Sequence, residues 1–257
     1  MKYCTFNIED FVAIDNMTSS QLNKFKEMDI ILIQEWKEKE GEEFIVELNK
    51  GPRHYVYKSK DRVAIIFDDT FKLKKAYGIE LLYEPPHIFE TLYTKGRKKK
   101  NMMVLFEYEN KSLCVINCHL HAYSSYYHPG FHKKQLSKLL NDSLKKLNME
   151  TCGIIIGGDT NYRSNDLIKL IDNPITKYGE LKDVCRGCKH TNTHTFSCIH
   201  EKGIMKKLAK RFTRKLAFLQ DGRLDFMATN LVTNYKKTKI VKMCSVSDHS
   251  AIFAESI

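Results

Sequence analysis

The sequence predicts one α+β domain over residues 1–257, built on short buried strands that end on acids, amides and imidazoles. Three observations point there. The 257 residues are 42% apolar and 11% aromatic, enough to bury a sizeable core in an α/β or sandwich-type arrangement. Short apolar runs recur along the chain, and most of them close on polar residues. No stretch has the composition of a linker, and no tandem repeat divides the chain.

Tyr3-Cys4-Thr5-Phe6-Asn7-Ile8 alternates as a first strand, with Asn7 near its end and Glu9 and Asp10 just beyond. Thr18 to Met28 reads as a helix with Ser19 or Ser20 as its cap. Asp29-Ile30-Ile31-Leu32-Ile33-Gln34-Glu35-Trp36 repeats the first pattern, a buried strand running into a carboxylate. Glu35 is either the first exposed residue after that strand or a metal ligand. Its place beside the single tryptophan, after the same strand-then-acid arrangement, favours the ligand. Glu42 to Leu48 predicts a short helix, Tyr55 to Tyr57 and Val63 to Phe67 predict strands, and Asp68-Asp69 a turn. The β-rich pattern continues over Lys72 to Tyr83 and Phe89 to Tyr93. Lys95-Gly96-Arg97-Lys98-Lys99-Lys100-Asn101 reads as a hairpin tip before a strand from Met102 to Tyr108. On such a tip Lys98 and Lys99 are either phosphate-backbone contacts or solvated surface cations.

Ser112 to His121 is another apolar strand ending in a polar group, with His119 and His121 two residues apart on one face. Leu136, Leu139, Leu140, Leu144 and Leu147 mark the apolar side of a helix from His132 to Leu147. Thr151-Cys152-Gly153 leads into Ile154-Ile155-Ile156, after which Gly157-Gly158 predicts a sharp turn. Asp159 and Asn161 then face the same way, a carboxylate and an amide suited to an activated water and a phosphoryl oxygen. This strand, helix, strand order is a crossover unit. Beyond it come a short helix over Asp166 to Asp172 stopped by Pro174, a strand at Thr195-Phe196, a strand from Gly222 to Thr229 carrying Asp225, and Asp248-His249 ahead of a closing strand.

A formal charge of +11 and a pI near 9.1 favour polyanionic partners: nucleic acid, phosphorylated lipid or an anionic membrane surface. Cys4, Cys114, Cys118 and Cys152 lie in or beside apolar runs, as reduced core thiols of an intracellular protein would. No apolar run is long enough for a transmembrane helix, and Met1 to Cys4 leads straight into a strand without room for a signal peptide. A cytosolic or nuclear location is therefore expected. Two stretches add further possibilities. Lys202 to Leu219 spaces Ile204, Leu208, Phe212, Leu216 and Leu219 along one side and Lys206, Lys207, Lys210, Arg211, Arg214 and Lys215 on the others. This is a basic amphipathic helix, an insertion over about 201–220, able to grip a nucleic-acid backbone or lie on an anionic membrane. Cys185, Cys188, His190, His194, Cys198 and His200 are potential zinc ligands, but their spacing matches no common finger.

Taken together, Asn7, Glu35, His119, Asp159-x-Asn161, Asp225 and Asp248-His249 resemble the endonuclease/exonuclease/phosphatase superfamily of DNase I-like proteins. Thr5-Phe6-Asn7-Ile8, Gln34-Glu35, Asn117-Cys118-His119-Leu120, Gly158-Asp159-Thr160-Asn161, Arg223-Leu224-Asp225-Phe226 and Ser247-Asp248-His249 are similar to that family's motifs in its order, across almost the whole chain. The resemblance implies a four-layered α/β/β/α sandwich of two packed mixed sheets with the site at one rim. It implies Mg²⁺, with Mn²⁺ as a substitute, on Glu35, helped by Asn7 and Asp248. Asp159 would orient or deprotonate the attacking water, Asn161 steady the phosphate, Asp225 hold His249 toward the phosphate, and His119 act as a second donor.

Gly157-Gly158-Asp159-Thr160-Asn161-Tyr162-Arg163 is similar to the motif of 5′-tyrosyl-DNA phosphodiesterases, with Tyr162 and Arg163 as substrate-binding residues and Arg163 as a phosphate clamp. The same run and Asn117-Cys118-His119-Leu120 also resemble inositol polyphosphate 5-phosphatases. Arg223-Leu224-Asp225-Phe226 departs from the Cys-Asp-Arg run usual there, which with the charge tilts the reading to a phosphodiesterase acting on nucleic acid. A phosphoinositide or sphingomyelin-type lipid phosphoesterase is the alternative. An inactive binding member is the third, and the presence of every core residue speaks against it.

Overall fold

Period-two alternation along the buried strands decides the architecture. In the computed structural model, which describes residues 1–82, 98–120, 129–147, 153–161, 180–184, 225–231, 235–243, 246–247 and 249–256, the strands form two six-stranded sheets. The first contains β1 (Lys2–Asn7), β2 (Ile30–Gln34), β3 (Tyr55–Lys60), β4 (Val63–Asp68), β11 (Tyr235–Lys242) and β12 (Ser250–Ser256), in the order β11-β12-β1-β2-β4-β3. The second contains β5 (Lys72–Leu82), β6 (Lys98–Tyr108), β7 (Lys111–His119), β8 (Gly153–Asp159), β9 (Lys182–Asp183) and β10 (Asp225–Thr229), in the order β5-β6-β7-β8-β10-β9. Each sheet has one parallel pair at its centre, β1 with β2 and β7 with β8, and antiparallel partners on both sides. Helix α1 (Ser19–Lys26) lies between the strands of the first pair, and helix α3 (Pro129–Lys145) between those of the second.

Alternate residues of these strands face different cores. Tyr3, Ile30, Leu32, Val63, Ile65 and Phe67 of the first sheet meet Val104, Phe106, Val115, Ile155 and Met227 of the second in a shared core. The intervening residues Cys4, Phe6, Ile31, Ile33, Ala64 and Ile66 pack under Phe25 of α1 and Phe44, Ile45 and Leu48 of α2 (Glu38–Leu48). On the other side Cys114, Ile116, Ile154 and Ile156 pack under Leu136, Leu139 and Leu140 of α3. Two helical layers thus enclose two packed mixed sheets, the DNase I-like sandwich. Because both faces of the central strands are covered, they read as unbroken apolar runs.

Several local expectations change. Gly157 and Gly158 continue β8 instead of turning it. A Cβ at Gly157 would sit 3.0 Å from Leu32 Cδ1 and 3.1 Å from the Phe226 carbonyl, so the glycine permits close approach of the two sheets. At Gly158, with φ +142°, a Cβ would fall 1.8 Å from the Cys118 carbonyl oxygen of the neighbouring strand. Lys98 and Lys99 are not on a hairpin tip; they begin β6 and pair with Leu82 and Leu81, because the backbone ladder continues past the apolar run. Thr18 caps α1, exchanging hydrogen bonds with Gln21, where Ser19 or Ser20 was expected. Helix α2 begins at Glu38 and not Glu42, running through Gly41, where a Cβ would collide with Trp36 at 2.1 Å. The expected elements over 89–93, 166–172, 195–196 and 202–219 lie outside the described residues, as does the zinc-ligand candidate stretch 185–200.

Toward the C-terminal ends of the parallel pairs the shared core turns polar. Asn117 of β7 donates to the carbonyls of Ile33 at 2.8 Å and Ala64 at 2.7 Å in the opposite sheet, and accepts from Gln34 Nε2 at 2.7 Å. Gln34 also bonds Thr5, at 3.0 Å. All three side chains are buried, so each bond stands in for water that cannot enter. At the opposite pole Arg53 ties Asp29 (2.6 Å) to Asp68 (2.9 Å), and Asp29 accepts from the Lys2 amide at 2.6 Å. Burial pushes the Asp68 carboxyl up, but bonds from Thr70 and Arg53 outweigh it and hold the group below its ordinary range.

Replacing Asn117 by alanine is expected to lower unfolding free energy by about 2–4 kcal/mol, read by denaturant titration, because two carbonyls and the Gln34 amide lose their buried partner. A loss under about 0.5 kcal/mol would contradict the bridging role. For Asp68 the sign follows from its depressed carboxyl. Its contribution is fully present above the unfolded-state pKa and disappears as pH falls through the folded-state value. Asp68→Asn should therefore be less stable than the parent at neutral pH, and the gap should narrow on acidification below the ordinary carboxylate range.

Candidate active site

The polar rim above Asn117 is assembled from strand ends. Asn7 closes β1, Glu35 follows β2, His119 closes β7, Asp159 closes β8 and Asp225 opens the antiparallel β10, where it pairs with Asp159. Asn7 lies opposite Gln34 and His119 opposite Asp159 across the two parallel pairs, so one sheet brings the amide and Glu35 and the other the imidazole and two aspartates. His249 comes from the segment leading into β12.

Asp159 Oδ2 is the hub. Asn7 Nδ2 donates to it at 3.0 Å and Asn161 Nδ2 at 3.1 Å, while His119 Nε2 and His249 Nε2 stand 3.7 and 3.9 Å away. The Asn161 amide nitrogen of the backbone donates to Asp159 Oδ1 at 2.7 Å. Asp159 is buried, and a buried carboxylate persists only where such donors replace its hydration. His249 Nδ1 lies 2.8 Å from Asp225 Oδ2, which fixes the ring and turns Nε2 toward Asp159. Below, Ser247 Oγ donates to the Asn7 carbonyl at 2.7 Å and accepts from the His249 amide at 3.0 Å, linking the last strand to the first. The His119 amide is held by Asn101 Oδ1 at 2.7 Å.

Glu35 sits at the mouth, its side chain 24% exposed against 2% for that of Asp159. Its Oε1 is 3.3 Å from Asn7 Nδ2 and 3.8 Å from His119 Nε2, so it joins the same cluster from the solvent side. The backbone there is in the left-handed region at Glu35 (φ 61°) and Asn161 (φ 51°), and in the run Glu9, Asp10, Phe11 (φ 51°, 57°, 60°). Left-handed geometry costs non-glycine residues roughly 1–2 kcal/mol each, and burial of Phe11 against Trp36, with ring centroids 5.5 Å apart, helps to hold the run in place.

Asp159, Asp225 and His249 offer donor atoms within 4.8 Å of one another, a group able to surround a cation. Asp225 is already engaged with His249, however, and hard ions that retain water favour the accessible Glu35. Two amides tie the cluster together. Asn7 presents its nitrogen to Glu35 and Asp159 while its oxygen accepts from the Glu9 amide at 3.1 Å, so it bridges the acids. Asn161 donates to Asp159 and, at 2.9 Å, to the Leu120 carbonyl, so its amide braces Asp159. Tyr162, Arg163, Asp248 and His121 lie outside the described residues, and nothing is described of the Lys98 and Lys99 side chains. The sequence reading missed Arg62, which contacts both Asp10 and Glu35. It sits in a turn, without any apolar or motif context that would have marked it.

No family sequence model and no curated protein matches the chain. Solved structures match it in three dimensions over nearly its full length. An endonuclease/exonuclease/phosphatase family protein from Leptotrichia buccalis aligns with TM-score 0.66 and 18% identity over 99% of this chain and 98% of that one. D. rerio TDP2 complexed with single strand DNA product aligns with TM-score 0.65 and 15% identity over 99% and 97%. The human Nocturnin catalytic domain with bound sulfate anion aligns with TM-score 0.62 and 14% identity over 99% and 93%. Alignment over nearly the whole of each chain gives this protein, with its two packed mixed sheets, the DNase I-like fold of these endonuclease/exonuclease/phosphatase-type structures.

Proposed function

We propose that the protein is a divalent-metal-dependent phosphodiesterase that hydrolyses phosphoester bonds in nucleic acid. The observation that carries this reading is the convergence on Asp159 Oδ2 of two amide donors and two imidazoles, with Glu35 at the mouth. Support for nucleic acid comes from the net charge of +11 and from the structurally similar TDP2 seen with a single strand DNA product.

The donor set suits a hard cation, being oxygens of Glu35 with the Asn7 amide beside it. Glu35 would hold the ion, with Asn7 and Asp248 as the further candidates. An ion such as Mg²⁺ or Mn²⁺ held there would supply positive charge against the negative charge developing on the phosphoryl and leaving-group oxygens. The remaining steps belong to the side chains. Asp159, braced by Asn161, orients the attacking water and takes its proton at Oδ2. His249, held by Asp225, directs Nε2 at the phosphoryl group as a donor, and His119 supplies a second one. Arg163 and Tyr162 are assigned to the substrate strand beside the scissile bond, Lys98 and Lys99 to more distant phosphates.

Glu35→Gln, Asp159→Asn and His249→Ala are each expected to lower kcat by about a hundredfold or more while the proteins stay folded. Chelation should abolish wild-type turnover and Mg²⁺ restore it. The decisive assay compares plain single-stranded oligonucleotides, 5′-tyrosyl oligonucleotides, inositol polyphosphates and sphingomyelin. Turnover confined to the last two, or turnover indifferent to chelation, would contradict the proposal.

A further inference from the structure

Arg62 follows Asp61, a left-handed residue (φ 54°) in the turn between β3 and β4, and its carbonyl accepts from the Trp36 amide at 2.9 Å. That bond sets it beside Glu35. Its guanidinium lies 3.3 Å from Glu35 Oε2 and also contacts Asp10 Oδ1. Asp10 reaches it from the centre of the strained Glu9, Asp10, Phe11 run. The backbone therefore maintains an unfavourable conformation that sets a second carboxylate against Arg62, at the mouth of the site. Arg62 remains half exposed, its long side chain bordered by solvent. On the adjoining edge strand β3, the exposed Lys58 and Lys60 continue the positive charge beyond Arg62.

We propose that Arg62 is a substrate-phosphate contact held in reserve, a cation that occupies Glu35 and Asp10 until a divalent ion takes Glu35. This rests on the reading of Glu35 as the residue that holds the ion. Ion and guanidinium compete for one carboxylate, and like charges a few ångströms apart repel. Binding of the ion takes Glu35 from the guanidinium, which stays anchored on Asp10 and turns the N–H groups released from Glu35 to a phosphate of the bound strand. Metal loading and substrate grip are thereby coupled through one side chain that touches both.

The test uses Mn²⁺ titrated into the 257-residue protein without substrate, with free Mn²⁺ read by electron paramagnetic resonance. Arg62→Ala should bind Mn²⁺ about two- to fivefold more tightly than the parent, the range that loss of one exposed competing ion pair allows. At saturating Mn²⁺ the same variant should raise KM for a single-stranded oligonucleotide about tenfold, the loss falling on KM far more than on kcat. Arg62→Lys should keep the parent's Mn²⁺ affinity and recover only part of the KM, since an ammonium lacks the fork. Unchanged or weaker Mn²⁺ binding in Arg62→Ala, or an unchanged KM, overturns the proposal while leaving the Glu35 assignment intact. Glu35→Gln is the control: if it binds Mn²⁺ as tightly as the parent, the Glu35 assignment itself has failed and the proposal goes with it.

Discussion

The hydrogen bonds of Asn117 across the sheet interface are what the rest of the molecule depends on. Two sheets packed face to face need an apolar interior, yet the site requires acids and imidazoles between them at one rim. Asn117 reaches from β7 to the carbonyls of Ile33 and Ala64 and receives Gln34, so the transition from oil to polar rim occurs over a single satisfied layer. An apolar residue there would leave carbonyls of β2 and β4 buried without their partner. The layer also fixes the relative height of the sheets, and so whether Asn7 of one meets Asp159 of the other.

From that constraint follows the character of the site. Both parallel pairs end at the same rim, and crossover connections let unrelated parts of the chain deliver side chains to it. Asp159 is buried and sits among donors; Glu35 is at the surface and sits among competitors, Arg62 included. The two acids thus meet different surroundings, one enclosed by donors and the other open to solvent. Strained backbone at Glu35, Asn161 and the Glu9, Asp10, Phe11 run lies around this mouth, where it fixes the directions of the side chains.

Much of this was legible in the sequence because strand ends are easy to read. Tyr3-Thr5-Asn7, Ile30-Leu32-Gln34, Leu113-Val115-Asn117-His119 and Ile155-Gly157-Asp159 pass from apolar to polar at alternate positions, and those positions face one interior. Glycine was harder. A pair of glycines after a strand usually signals a turn, but Gly157 and Gly158 are there because another strand's atoms occupy the space of a side chain, a fact carried by the partner and not by the local sequence. Lys98 to Asn101 misled for a related reason: cations beside a glycine look like a tip, while ladder hydrogen bonds are indifferent to side-chain polarity. Arg62 left no trace at all, since an arginine in a short turn is common and its partners are far away in the chain.

The proposed function requires one place where a cation and a phosphoryl group would meet the ends of both parallel pairs. Anomalous scattering from crystals grown with Mn²⁺ measures that place directly. The expected result is a peak at coordination distance, about 2.1–2.2 Å, from a Glu35 carboxylate oxygen, on the side facing His119 and Asp159. A peak elsewhere on the molecule, with Glu35 still bound to Arg62 in an enzyme that requires the metal, would contradict it.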